Sequence, residues 1–121
     1  ETVNEKIPST LDATALCKMA ERGQITGGVL DGPLAFDNAV SMESAREKGI
    51  CSPVAGNADI LVVPDVESGN MLYKQMTYLS GIEAAGIVLG AHVPIILTSR
   101  GSDELSRKAS CVMALLYVRR K

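Results

Sequence analysis

Ser99-Arg100-Gly101 places a hydroxyl donor, a guanidinium fork and a residue without a side chain at three consecutive positions. Those three types suit an anion. Gly101 lets the backbone come close to a ligand, Arg100 offers a planar set of donors for phosphate or carboxylate, and Ser99 adds one hydroxyl hydrogen bond. A strand pattern precedes the triplet and a helix pattern follows it, so the unpaired N–H groups of a helix start lie just beyond. Two other polar clusters interrupt apolar runs in the same way: Asp31-Gly32-Pro33-Leu34, and Pro64-Asp65 with Ser68-Gly69-Asn70. In open α/β sheets ligands bind outside the carboxyl ends of strands, which is where all three clusters fall. The same residue types are also ordinary turn formers, and Ser99 or Ser102 can serve as a plain helix cap.

Composition narrows the chemistry. A chain of 121 residues with 46% hydrophobic and 21% charged residues matches one soluble domain. The net charge of −2 gives no attraction for nucleic acid or for an anionic membrane, and four aromatic rings (Phe36, Tyr73, Tyr78, Tyr117) are too few for a base-stacking platform. No apolar run is long enough to span a bilayer, and no signal peptide is visible. Cys17, Cys51 and Cys111 form no CxxC pair, and His92 is the single histidine, so no metal site is expected. Three reduced thiols, acting as small buried hydrophobes, fit a cytoplasmic protein. No GxSxG and no GxGxxG occur, which argues against a serine hydrolase and a dinucleotide site.

The elements that must position these residues follow from spacing. Residues 9–22 predict a helix capped by Ser9 or Thr10 and stopped at Gly23. Residues 25–30 predict a short strand, 36–48 a helix ending at Gly49, and 59–63 a strand buried on both faces. A helix is expected over 67–80, with stripes Leu72, Met76, Leu79 and Met71, Tyr78; being apolar on two faces, it would pack on a sheet and on a second subunit. Segments 85–90 and 94–98 predict further strands. The last helix, 102–118, carries the stripe Leu105, Ala109, Val112, Met113, Leu116. The alternation predicts an α/β fold in three layers with a mainly parallel sheet. The start at Glu1 and the end at Arg119-Arg120-Lys121, straight after an apolar helix, read as a piece of a longer polypeptide.

The stretches DGPLAFDNAVS (31–41), VAGNADILVVPDVESGNMLYK (54–74) and VPIILTSRGS (93–102) resemble, in order and across nearly the whole chain, the phosphate butyryltransferases and, more distantly, the phosphate acetyltransferases. The resemblance implies part of a fold like that of isocitrate and isopropylmalate dehydrogenases, with a cleft between two α/β domains. Residues 1–98 would form most of the second domain, and 99–121 would return to the first. The implied reaction moves a butyryl or similar short acyl group between coenzyme A and inorganic phosphate. Acyl-CoA, phosphate and acyl phosphate would be its small-molecule partners, with no bound cofactor and no covalent enzyme intermediate. Ser99 and Arg100 are the implied catalytic residues, Arg100 for phosphate or the tetrahedral intermediate and Ser99 for the thiolate or oxyanion. Asp65, Asn70, Tyr73, Lys74, Gly101 and Asp103 are further candidates for binding substrate. The family's proposed thiol base, an aspartate seven residues beyond the serine, is replaced here by Ser106, and Asp103 and Glu104 lie one turn earlier. The alternatives are an acetyl-specific enzyme, one using acyl carrier protein as donor, and an inert dimerisation fragment. The helix over 67–80, apolar on two faces, leads one to expect a homodimer or a higher homo-oligomer.

Overall fold

The computed structural model describes residues 1–119. The chain divides into two compact units, Glu1–Pro64 and Asp65–Lys121. The boundary expected after residue 98 falls inside the second unit.

In the first unit, α1 spans Pro8–Glu21. Proline suits the first helical position, where no backbone donor is needed. The expected cap differs. Ile7 occupies the N-cap without a side-chain bond, while Thr10 is buried inside the first turn, its hydroxyl 2.8 Å from the Ile7 carbonyl and accepting from Asn4 N–H at 2.9 Å. Gly23 ends the helix as expected, with φ +71° and its N–H on the Ala20 carbonyl at 2.9 Å. The single helix expected over 36–48 is two: α2, Phe36–Val40, and α3, Met42–Glu47. Ser41 breaks it. Its backbone is extended, and its hydroxyl accepts the Ser44 N–H at 3.3 Å, capping α3. The core of this unit is made of small groups, Ala39, Ala45 and Ala55, around a fully buried Asn38. Gly56 closes on them, its N–H on the Asn38 carbonyl at 2.8 Å.

In the second unit, α4 spans Val66–Tyr78 and α5 spans Glu104–Arg119. Asp65 caps α4, accepting the Ser68 N–H at 2.7 Å. Burial corrects two expectations. No residue of α4 is buried, so its two apolar stripes lack the cover expected of them. On α5 the expected stripe is mostly exposed. The packed face is instead Ser106, Ser110, Ala114 and Tyr117, rotated by one residue about the axis. Ser110 is the reason: its hydroxyl accepts Gly86 N–H at 3.1 Å and donates to the Ser106 carbonyl at 2.7 Å, binding the 84–86 segment to this face.

The sheet expected from the apolar runs is absent among the described residues. Segments 25–30, 59–63, 85–90 and 94–98 are extended or bent, and one isolated antiparallel bridge joins Val88 to Ile95. Only residues 91–93 separate the last two runs. A parallel pairing needs a crossover of about a dozen residues, so these two can meet only antiparallel. An apolar run becomes a buried strand only when neighbours complete its ladder and cover its faces. Here Ile60 and Val62 are each 81% exposed.

Candidate functional site

The site lies in the second unit, where the end of the 94–98 segment faces α4 and the start of α5. Residues 99–102 form a tight turn. Ser102 N–H reaches the Ser99 carbonyl at 3.0 Å, and Gly101 N–H points at Ser99 Oγ at 3.4 Å. Arg107, one turn into α5, donates from two nitrogens to the Ser102 carbonyl at 3.1 and 2.6 Å and so staples the turn to the helix. Asp103 accepts Ser106 N–H at 2.7 Å. That bond holds its carboxyl below the usual range. It also occupies one of the helix-start donors that spacing had offered to an external anion.

Two adjoining cavities open beside this turn. The larger, about 420 Å³, is lined by Asn70, Tyr73 and Lys74 of α4, the 84–86 segment, and Ser99, Ser102, Ser106 and Ser110, among others. Lys74 is its one charged lining residue. The smaller, about 280 Å³, shares Tyr73, Lys74 and Ser99 and adds Tyr78, Gly101, Asp103 and Glu83. The structure therefore brings together six of the eight residues singled out from the sequence: Asn70, Tyr73, Lys74, Ser99, Gly101 and Asp103. It leaves two outside. Arg100 is exposed and lines neither cavity. Asp65 lines neither, and its carboxylate is spent on capping α4, which also lowers its pKa through the Ser68 N–H.

Ser110, Tyr78 and Arg107 were not read from the sequence as site residues. For Ser110 a signal existed, since Ser102, Ser106 and Ser110 recur at every fourth position and share one helical face. Lys74 Nζ lies 5.4 Å from the ring centre of Tyr73 and 5.2 Å from that of Tyr78. Chemically, the larger cavity can receive an anionic group on one ammonium and several hydroxyls. Asp103 is a weak proton acceptor, since a carboxyl held below its usual range lies far from a thiol's pKa. Among the described residues no three His, Cys, Asp or Glu side chains cluster to hold a metal ion, and no helix is long and apolar enough to cross a membrane. Cys51 and Cys111 are exposed and Cys17 is only half-buried, against the expectation of three buried thiols. Burial, followed by the nearby carboxylates Asp31 and Glu21, pushes the Cys17 thiol up.

The family model described as "Phosphate acetyl/butaryl transferase" matches residues 1–114. The chain belongs to this family. It is 67% identical, over its whole length, to a phosphate acetyltransferase of Rhizobium meliloti, covering 38% of that protein. It is 46% identical, again over its whole length, to a phosphate butyryltransferase of Clostridium acetobutylicum, covering 40%. The identities thus run opposite to the motif resemblance, with the acetyltransferase above the butyryltransferase. A branched-chain phosphotransacylase from Enterococcus faecalis V583 superposes with a TM-score of 0.77 at 35% identity, over 95% of this chain and 41% of that one. The backbone matches part of that structure, consistent with the α/β class. The chain spans about two-fifths of the curated relatives' length.

Proposed function

We propose that the protein carrying this chain transfers a short acyl group reversibly between coenzyme A and inorganic phosphate. A phosphate oxygen attacks the thioester carbonyl, the tetrahedral intermediate collapses, the C–S bond breaks, and the thiolate leaves to take up a proton. The observation that carries this reading is the larger cavity, where Lys74 stands as the one charged lining residue and Ser99 lines the same space. Both substrates are anionic, and an ammonium facing several hydroxyls attracts and orients such groups without covalent chemistry. Ser99 donates to the developing oxyanion or to the thiolate. Arg100, beside it in the chain, receives phosphate on the outer side of the turn. Asn70, Tyr73 and Gly101 shape the walls. The proton acceptor comes from elsewhere in the protein, since Asp103 is committed to its cap. We further propose that the exposed apolar runs complete a sheet of the isocitrate dehydrogenase type with strands from the remaining chain. On this reading residues 1–98 and 99–121 belong to two domains, and the uncovered face of α4 meets a second copy in a cytoplasmic homodimer.

The test uses the intact protein. Release of free CoA from acetyl-CoA and butyryl-CoA should require phosphate, and Ser99→Ala should lower kcat about a hundredfold or more. An Arg100→Ala variant with full activity would remove Arg100 from the site. Transfer from acyl carrier protein but not from acyl-CoA would reassign the donor.

A further inference from the structure

Resting on that reading, we infer that Tyr78 is a positioning residue that acts through Lys74: its ring, with that of Tyr73, holds the ammonium at the cavity wall with its charge left available for a substrate anion. The geometry starts from helical spacing. Residues four apart on α4 sit one above the other, so the Tyr78 ring lies beside the Lys74 side chain. Lys74 Nζ is 5.2 Å from the Tyr78 centroid and 5.4 Å from the Tyr73 centroid, both within the range at which a ring face attracts a cation.

What holds a lysine decides what it can do. A carboxylate partner would neutralise it. Among the described residues none lies within ion-pair distance of Lys74, whereas Lys18 and Lys108 each have one and Lys48 has two. Two aromatic faces restrain Nζ without cancelling its charge. The larger cavity adds no carboxylate of its own, while the smaller contains Glu83 and Asp103, so an anion is favoured in the larger one. Tyr78 is 70% exposed, too open to serve mainly as core, and it lines the smaller cavity next to Gly101. A Cβ at Gly101 would sit 3.3 Å from the Tyr78 hydroxyl, a tight contact that a small shift of this exposed side chain relieves.

The experiment compares Tyr78→Phe, Tyr78→Leu, Lys74→Met and the double variant Lys74→Met/Tyr78→Leu in the intact protein. Tyr78→Leu should raise KM for phosphate or CoA about twofold to fivefold, the effect of one exposed cation–ring contact, with kcat within about twofold. Tyr78→Phe should keep the wild-type KM, because the ring and not the hydroxyl does the holding. In the Lys74→Met background, Tyr78→Leu should have no further effect. A second readout needs no activity. Lysines carrying ¹³C-methyl groups from reductive methylation keep their charge, and the Lys74 signal, assigned by its loss in Lys74→Met, should show a ring-current shift that survives Tyr78→Phe and vanishes in Tyr78→Leu. Absence of that shift in the wild type, or equal KM effects of Tyr78→Leu with and without Lys74, overturns the inference. An intact shift in a protein without phosphate-dependent acyl transfer would overturn the assigned reaction and leave the aromatic clamp standing.

Discussion

Replacing Ser110 by alanine tests the hydrogen bond that ties the 84–86 segment to α5. The side chain is 1% exposed, and the change removes a single oxygen, so little cavity is created and the cost is almost entirely polar. Two bonds are lost. The bond to the Ser106 carbonyl at 2.7 Å is a second use of an oxygen already served by the helix ladder, so its loss is cheap. The other leaves Gly86 N–H, 3.1 Å from Ser110 Oγ, without its partner. A donor sealed from water would cost up to about 3 kcal/mol. Gly86 is exposed, however, and its freed N–H can turn to solvent. The expected loss is therefore at the low end, about 1 kcal/mol.

In urea, with a slope of about 1–3 kcal/mol per molar, that corresponds to a midpoint lowered by about 0.3–1 M. The local signature is sharper. Peptides covering residues 84–88 should exchange amide hydrogens about fivefold faster in Ser110→Ala, while those of α1 stay unchanged. Because 84–86 lines the larger cavity, KM should rise with this loosening, and kcat should change less. Unchanged exchange at 84–88 in a variant with a lowered midpoint would refute the reasoning, for it would place the cost in helix packing and not in the wall.

Two further outcomes concern the first unit. Gly56 has φ +83°, and an added Cβ would sit 2.5 Å from Met42 Cα, a backbone atom that cannot turn aside; Gly56→Ala should destabilise by more than about 1 kcal/mol, while Gly28→Ala, which meets nothing within 4 Å, stays near neutral, and a thermal scan with equal losses at both sites would contradict this. The Ser44 hydroxyl, followed by Lys48, holds the Asp37 carboxyl down to about 2. A carboxyl depressed on folding adds stability above its unfolded value of 3.8, and that stability fades as pH falls through about 2. Asp37→Asn should therefore flatten the acid limb between those values, and because Asp37 is exposed, added salt should shrink the difference; an acid limb unaltered by the substitution would count against it.

What spacing alone could reach depended on how local each feature is. The existence of α1, α4 and α5 follows from apolar periodicity and from signals within a few residues of each end, as with Gly23 and Asp65. The break at Ser41 is also local, and the pair Ser41 and Ser44 carried it, but a helix pattern running through both hid the cap. The face that α5 buries was not local. Five apolar residues outvoted Ser106 and Ser110 in the sequence, yet the packed face is decided by the hydroxyl that reaches Gly86, twenty-four residues away. The strands were the least local of all. DILVV and PIILT have the composition of buried strands, but a ladder is a property of pairs, and within the described residues only Val88 and Ile95 find each other.

The same distinction explains which candidate site residues came together. Asn70, Tyr73 and Lys74 are spaced three and four apart, so helix geometry alone gathers them on adjoining parts of one face, whatever the rest of the chain does. Ser99 joins them from another part of the chain, at the turn that Arg107 staples to α5. Arg100 carries the more suggestive chemistry of the two, but it lines neither cavity. The positive charge at the cavity therefore comes from α4 and not from the triplet. A cation on a helix, restrained by rings and left unpaired by acid, is a steadier anchor for an anion than one on an exposed turn. Of the triplet, Ser99 lines both cavities and Gly101 only the smaller, beside Tyr78, so on the proposed reading the triplet contributes mainly through Ser99.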